Sequence, residues 1–327
     1  MVELAGSDPA NGVRLVTSTV PAGVTVIGNE KVLAVPKSVW PRPVVGDVVV
    51  MAAPGDRVSE VRPRRNVLRR ADPAGGEQVL AANVDVVAIV CGLDRPVKTG
   101  RVQRAAALAW DCGATPILVL SKADLSTDQD AAEGEAHVAN PGLEVFTVSV
   151  AADTGIEALR QRIAGQATVL LGESGSGKST LTNALLGWDA ARVGEVRAGD
   201  HKGRHTTTER HLFELPTGGC LIDTPGIRAI GLPADLSLSD DQFADVVELS
   251  GDCYFRDCTH TSEPRCAVLA AVAHGTLAAG RLEQWLRLNA EIASAERRSD
   301  PHAQRQFERK RTKQVYKPTK ELKQQGW

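Results

Sequence analysis

The chain has 327 residues, 43% of them hydrophobic and 24% charged, with a formal net charge of −2. That length accommodates two or three domains, each with its own core, and the composition excludes wholesale disorder. No apolar run approaches the roughly 18 residues needed to cross a bilayer, and the first residues lack the charged-then-apolar layout of a secretory leader.

The near-zero charge hides a segregation. Arg62, Arg64, Arg65, Arg69 and Arg70 crowd one stretch, and Arg309, Lys310, Arg311, Lys313, Lys317 and Lys320 load the C-terminal tail. Both runs fit a polyanionic partner. Cys91, Cys112 and Cys220 are scattered through apolar segments, whereas Cys253, Cys258 and Cys266 gather beside His260. This distribution points to a reducing compartment, the cytoplasm, and to one metal site instead of a disulfide framework.

In chain order, residues 1–80 carry short β-rich runs around residues 13–17, 24–27, 32–35 and 47–50, punctuated by Pro and Gly. Such spacing predicts a small barrel or sandwich. Residues 72–76, Asp-Pro-Ala-Gly-Gly, read as an exposed linker. Residues 81–232 alternate apolar strands (86–90, 116–120, 145–148, 168–171) with helical stretches (102–110, 156–163, 178–186), the pattern of a mostly parallel α/β sheet. Residues 233–327 turn helical, at 240–249, 267–274 and 280–296.

Within the middle region, Gly172-Glu173-Ser174-Gly175-Ser176-Gly177-Lys178-Ser179 fits the G-x-x-x-x-G-K-[ST] phosphate loop, with a strand before it and a helix opening at Ser179 and Thr180. Backbone N–H groups of such a loop wrap phosphates at a helix N-terminus. Lys178 is expected on the β/γ-phosphates and Ser179 on Mg²⁺. Upstream, Ser121-Lys122-Ala123-Asp124 closes an apolar strand. An aspartate there accepts from the N1–H and exocyclic amine of guanine, a donor pair that adenine lacks. Lys122 is expected to pack its stem over the base. Ser149 and Val150, ending the next strand, are candidates for contact with the guanine O6.

Asp223-Thr224-Pro225-Gly226 follows another strand; Asp223 suits Mg²⁺ and Gly226 the γ-phosphate. The next position, a water-orienting Gln in Ras-like enzymes, is Ile227, which cannot position water. Between these motifs, Gly203-Arg204-His205-Thr206-Thr207-Thr208 occupies the place of a first switch. His205 is the candidate water-positioning side chain, and one of the threonines, taken as Thr207, the metal and γ-phosphate sensor. The motifs together are those of a GTPase, but their order is rotated, with the base-reading segment first.

Cys253-x4-Cys258-x-His260-x5-Cys266 supplies three thiolates and an imidazole, a closed donor set suited to a structural tetrahedral Zn²⁺.

Rotated motifs, an N-terminal β region and a Cys-Cys-His-Cys cluster together resemble the ribosome small subunit-dependent GTPase A family of circularly permuted GTPases. Supporting residues include Pro43-Val44-Val45-Gly46-Asp47, Arg64-Arg65-Asn66-Val67-Leu68-Arg69-Arg70 and Gly203-Arg204-His205. The resemblance implies an OB-fold barrel (1–80), a permuted GTPase domain (81–232) and a zinc domain with a basic helical tail (233–327). It also implies GTP hydrolysis stimulated by the 30S subunit, late in that subunit's maturation, with 16S rRNA as the contact. Departures from the family pattern are Ser121 for Asn and Val150 for Ala. The five arginines ending the barrel region are expected on rRNA phosphate, and with aromatics at 4% base stacking is expected to be limited. A monomer is the expected state. An RNA-binding assembly factor using nucleotide mainly as a conformational ligand is the alternative, favoured by Ile227; a kinase or transporter-type ATPase would give no reason for the upstream Ser121-to-Asp124 segment.

Overall fold

The computed structural model describes residues 13–20, 22–72, 76–189, 210–224, 230–238 and 240–299. His205, Thr206, Thr207, Thr208, Gly226, Ile227 and the basic tail lie outside the described residues. The chain packs as two compact units: Met1–Arg70, Gln78–Ile230 and Ser239–Ala244 form one, and Ala71–Glu77, Gly231–Leu238 and Asp245–Trp327 the other.

The first unit begins with five short strands, β1 (Val13–Val20), β2 (Gly23–Val26), β3 (Asn29–Leu33), β4 (Val48–Ala52) and β5 (Arg57–Val61). β1 pairs antiparallel with β2 and β4, β2 with β3, and β4 with β5. A parallel bridge between Ala34 and Arg57 closes the ring, giving the order β1-β2-β3-β5-β4 around the barrel. Alternating β-branched residues fill it: Val16, Val24, Val26, Leu33, Val39, Val49, Val58 and Val61 form one buried cluster.

Of the expected linker, residues 73–75 lie outside the described residues; its ends stand between β6 (Val67–Ala71) and β7 (Glu77–Ala82), a two-stranded ribbon, and the Asp72 N–H bonds the Gly76 carbonyl at 2.9 Å. Pro-Gly punctuation marks hairpin turns as readily as domain joints.

The arginine run also differs from expectation. Arg64 makes a bidentate pair with fully buried Asp47, both contacts at 2.8 Å. Arg65 holds Asp85 at 2.8 Å, Arg69 approaches Asp111 at 3.5 Å, and Arg70 donates to Gln78 at 3.0 Å. Only Arg62 of the run has no such partner among the described residues. Four of the five arginines thus have partners in the fold, though Arg65 stays exposed, and partners far away in sequence are invisible to a local reading of sign.

The α/β part follows as β8 (Val86–Gly92), α1 (Thr99–Asp111), β9 (Thr115–Ser121), α2 (Gln129–Ala139), β10 (Glu144–Thr147), α3 (Ile156–Arg162), β11 (Ala167–Gly172), α4 (Lys178–Leu186), β12 (His211–Glu214) and β13 (Cys220–Asp223). Strands β10-β9-β8-β11-β13 are parallel in that spatial order, and β12 is antiparallel to β13. Val86, Ala88, Val90, Ile117, Val119 and Leu170 bury one face against Leu159, Leu181 and Leu185; α1 covers β8 and β9. Burial on both faces explains the unbroken apolar runs. Ser18 of β1 pairs with His211 of β12, so barrel and α/β sheet share one ladder. Helix α2 escaped the sequence reading because it buries only Ala136 and has no apolar stripe. Its N-terminus is set by Asp128, which accepts from the Ala131 N–H at 2.9 Å.

In the second unit, the helices among the described residues are α5 (Ala244–Ser250), α6 (Ala267–Ala273) and α7 (Ala279–Ser299). The 240–249 stretch is thus split, a 3₁₀ turn over Asp240–Phe243 preceding α5. Arg281 forks onto Asp245 at 2.9 and 3.1 Å, tying α7 to α5.

Candidate functional site

Strand order reverses between β8 and β11. From β8 the chain moves outward through β9 to β10, then returns to β11 on the other side. Ligands of open α/β sheets sit in the crevice at such a switch point, beyond the carboxyl ends of the strands. Gly172, Ser121, Ser149 and Asp223 all lie at or just past those ends, whereas along the chain up to 102 residues separate them.

The phosphate loop leaves β11 and enters α4 at Gly177, whose φ of +85° a side-chain-bearing residue adopts only with strain. A Cβ at Gly172 would lie 2.5 Å from the Val90 carbonyl, so close strand approach also demands glycine there. Ser176 N–H bonds the Glu173 carbonyl at 3.2 Å, closing the turn. Lys178 is buried and donates from Nζ to the carbonyls of Gly172, at 3.0 Å, and Glu173, at 2.8 Å. Burial lowers its pKa against the opposing pull of Asp223. Ser179 and Thr180 are exposed on the first turn of α4.

Asp223 ends β13, in register with Leu170 of β11. Burial pushes its carboxyl up to about 6 despite Lys178. Its Oδ1 is buried without a hydrogen-bond partner among the described residues, an arrangement that a cation would relieve. The neighbouring Thr224 donates to the Leu170 carbonyl at 2.6 Å, fixing the strand end.

On the base-reading side, Ser121 is buried and donates to the Ser176 carbonyl at 2.6 Å. The residue that replaces the family Asn therefore latches the strand end to the phosphate loop. Lys122 holds a left-handed φ of 57°, and its Nζ pairs with Asp94 at 3.0 Å. Ala123 N–H bonds the Val148 carbonyl at 3.1 Å. Asp124 is exposed, and its Oδ1 accepts from the Ser149 hydroxyl at 2.5 Å. The two base-side segments are thereby one unit. Val150 packs into the core cluster, so its extra bulk points inward.

The sequence reading missed the segment after β8. Asp94 is held well below the usual carboxylate range by Arg95 first and Lys122 second. Lys98 and Arg101 bracket Glu173 of the loop at 3.1 and 2.8 Å. Lys98 chiefly lowers the Glu173 pKa, easing an acid placed beside a phosphate cradle. The available signal was position: residue 92 ends a strand on the same sheet edge.

In the second unit, Cys253, Cys258, His260 and Cys266 bring their donor atoms within 4.8 Å of one another. Cys253 Sγ lies 3.8 Å from Cys266 Sγ, and His260 Nδ1 lies 3.6 and 3.3 Å from those two sulfurs. Edges of a tetrahedron with Zn–S of about 2.3 Å and Zn–N of about 2.0 Å run to about 3.5–3.8 Å, so the four residues fit a closed metal site. Burial opposes ionisation of Cys253, but N–H donors of Val268 and Ala267 together with the Cys266 and Cys258 thiols lower its pKa on balance. Burial also keeps His260 neutral, as a ligand must be. The Ser250 hydroxyl donates to Val246 at 2.7 Å and lies 3.1 Å from His260 Nε2. With its proton committed, it accepts from Nε2–H and leaves the Nδ1 lone pair facing the sulfurs.

A strand, a glycine-rich cradle and a helix meeting at the sheet's switch point make the α/β part a P-loop nucleotide-binding fold, which the chain enters at a rotated point. The family model described as RsgA GTPase matches residues 61–233. The "Small ribosomal subunit biogenesis GTPase RsgA 1" of Listeria innocua serovar 6a is 40% identical over 276 residues, covering 84% of this chain and 79% of that protein. YjeQ from Thermotoga maritima superposes with a TM-score of 0.60 at 25% identity, covering 86% of this chain and 98% of that one. YloQ, described as a circularly permuted GTPase, gives 0.60 at 24% identity, covering 86% and 95%, and shares the fold. The chain belongs to the RsgA GTPase family and is a GTP hydrolase.

Proposed function

We propose that this GTPase binds the small (30S) ribosomal subunit and assists its late maturation, hydrolysing GTP with stimulation by the subunit. The observation that carries the reading is the meeting of four chain-distant motifs on one sheet edge within a chain of this family. Asp124, held by Ser149, reads the guanine amine pair, and Lys122 covers the base. Loop residues 172–178 cradle the phosphates, and Lys178 leaves the carbonyls of Gly172 and Glu173 for the β/γ-phosphates. Ser179 and Asp223 would hold Mg²⁺, which would offset phosphate charge; the orphaned Asp223 oxygen supports that role. His205, Thr207 and Gly226 are proposed at the γ-phosphate, His205 aligning water where Ile227 cannot.

The barrel's ring order supports an OB-fold that meets 16S rRNA. We assign residues 1–80 to it, 81–232 to the GTPase domain and 233–327 to a domain stapled by Zn²⁺. The protein works as a cytoplasmic monomer; among the described residues no helix is long and apolar enough to cross a membrane. The test is GTP turnover by the purified chain, alone and with 30S subunits, beside His205→Ala. Stimulation by subunits and its loss in the variant are expected; turnover indifferent to subunits would overturn the reading. Ile227 favours one second reading, nucleotide as a conformational ligand only, for which no turnover would appear under any condition.

A further inference from the structure

Trp40 stands in the loop between β3 and β4 and is 82% exposed. It has no ring contact or hydrogen bond among the described residues. Leaving an indole in water forgoes a large burial gain, and a mobile loop would fold it down. This loop is pinned on both sides. Val39 is part of the barrel core and its N–H bonds the Pro36 carbonyl at 3.1 Å. Pro43 and Val45 are buried. Arg42 donates to the carbonyls of Val35 and Pro36 at 3.2 and 2.9 Å, while Arg64 donates to the Arg42 carbonyl at 2.8 Å. The Val44 N–H is held by Asp47 at 2.7 Å. The indole is thus presented on a braced platform.

Charge along this segment, between Glu30 and Asp47, is one-sided. Residues 31–46 contain Lys31, Lys37 and Arg42 and no Asp or Glu. All three cations are exposed, and neither Lys31 nor Lys37 has an ion pair among the described residues. An exposed indole in the same segment as cations without ion pairs is the composition that stacks a base and follows its phosphates.

We infer that Trp40 stacks on an unpaired nucleotide of single-stranded RNA, with Lys31 and Lys37 on the flanking phosphates. The inference rests on the ribosomal reading above and adds a base contact to it. Pre-organisation by Arg42 and Arg64 keeps the cost of ordering the platform low.

The test compares wild type, Trp40→Phe, Trp40→Ala and Lys37→Ala in binding to purified 30S subunits and, separately, to a labelled single-stranded RNA 12-mer of mixed sequence. Trp40→Ala is expected to weaken both by about 5- to 100-fold without changing the salt slope, and Trp40→Phe to retain most affinity. Lys37→Ala is expected to flatten the slope instead. Unchanged thermal melting and GTP affinity show each variant folded. Equal binding by Trp40→Ala and wild type would overturn the inference. So would weakening on subunits alone with the 12-mer unaffected, which points to a protein contact. Wild type that binds the 12-mer but not subunits would overturn the ribosomal reading while leaving the stacking measurable.

Discussion

The phosphate cradle and the Cys–His loop are both short irregular segments next to a helix N-terminus, yet they offer a ligand different groups: main-chain N–H and a lysine in one, three thiols and an imidazole in the other. The cradle is held by its own main chain and by neighbours on the sheet edge: Ser121 on Ser176, Thr224 on Leu170, Lys178 on Gly172 and Glu173. The Cys–His loop gathers four side-chain donors, and it is braced as well by Glu263, which accepts from the N–H groups of Thr259, Thr261 and Ser262, and by Arg265 stacked over Tyr254. His260 and Arg265 take left-handed φ values of 56° and 59°, which non-glycine residues sustain only under constraint. A closed set of four donors couples metal binding to local folding, whereas a main-chain cradle keeps its shape through the sheet edge.

The sharpest way to break this contrast is to remove the ligand from each site. A strong chelator is expected to melt the 251–266 segment and lower the melting temperature, seen by circular dichroism and hydrogen exchange, because binding energy there is folding energy. Nucleotide removal is expected to leave the cradle amides protected. Lys178→Ala comes next: losing charged contacts to phosphate should weaken GTP by roughly 100-fold in titration calorimetry while melting changes little. Ser250→Ala should lower zinc affinity by about 10- to 100-fold in a competition assay, since His260 loses the acceptor that fixes its tautomer.

Asp223→Asn gives a pH signature. The folded carboxyl sits at about 6, above the usual carboxylate value, so the wild type carries its full burial penalty above that pH and sheds it as pH falls towards 4. In ligand-free, metal-free protein the variant is expected to be more stable at pH 8, by on the order of 2 kcal/mol, with the advantage gone near pH 4. Equal stability of the two proteins at pH 8 would contradict that burial. The smallest effect is expected from Ser121→Ala, which loses one latch: about 1 kcal/mol, or about fivefold in GTP affinity.

Where chemistry depends on fixed spacing, the sequence was legible. The glycine-rich turn into α4 and the gathering of Cys253, Cys258, His260 and Cys266 follow from spacing, and the structure brings these residues together; the roles of Asp124 and Asp223 are proposals that rest on position at the sheet edge. The doubly buried strands were readable from their apolar runs. Sign without partner was not: the 62–70 arginines looked like an RNA face, but Asp47, Asp85 and Asp111 claim three of them. Polar helices such as α2, and the ribbon β6–β7, lack the periodicity that a local window detects. Trp40 was counted among scarce aromatics, and only a structure tells an exposed indole from a buried one.

The row Ser18, His211, Asp223 runs straight across β1, β12 and β13, each residue paired with the next. The barrel wall and the proposed metal carboxylate therefore stand two strand spacings apart, about 10 Å, along a single hydrogen-bonded row of the sheet.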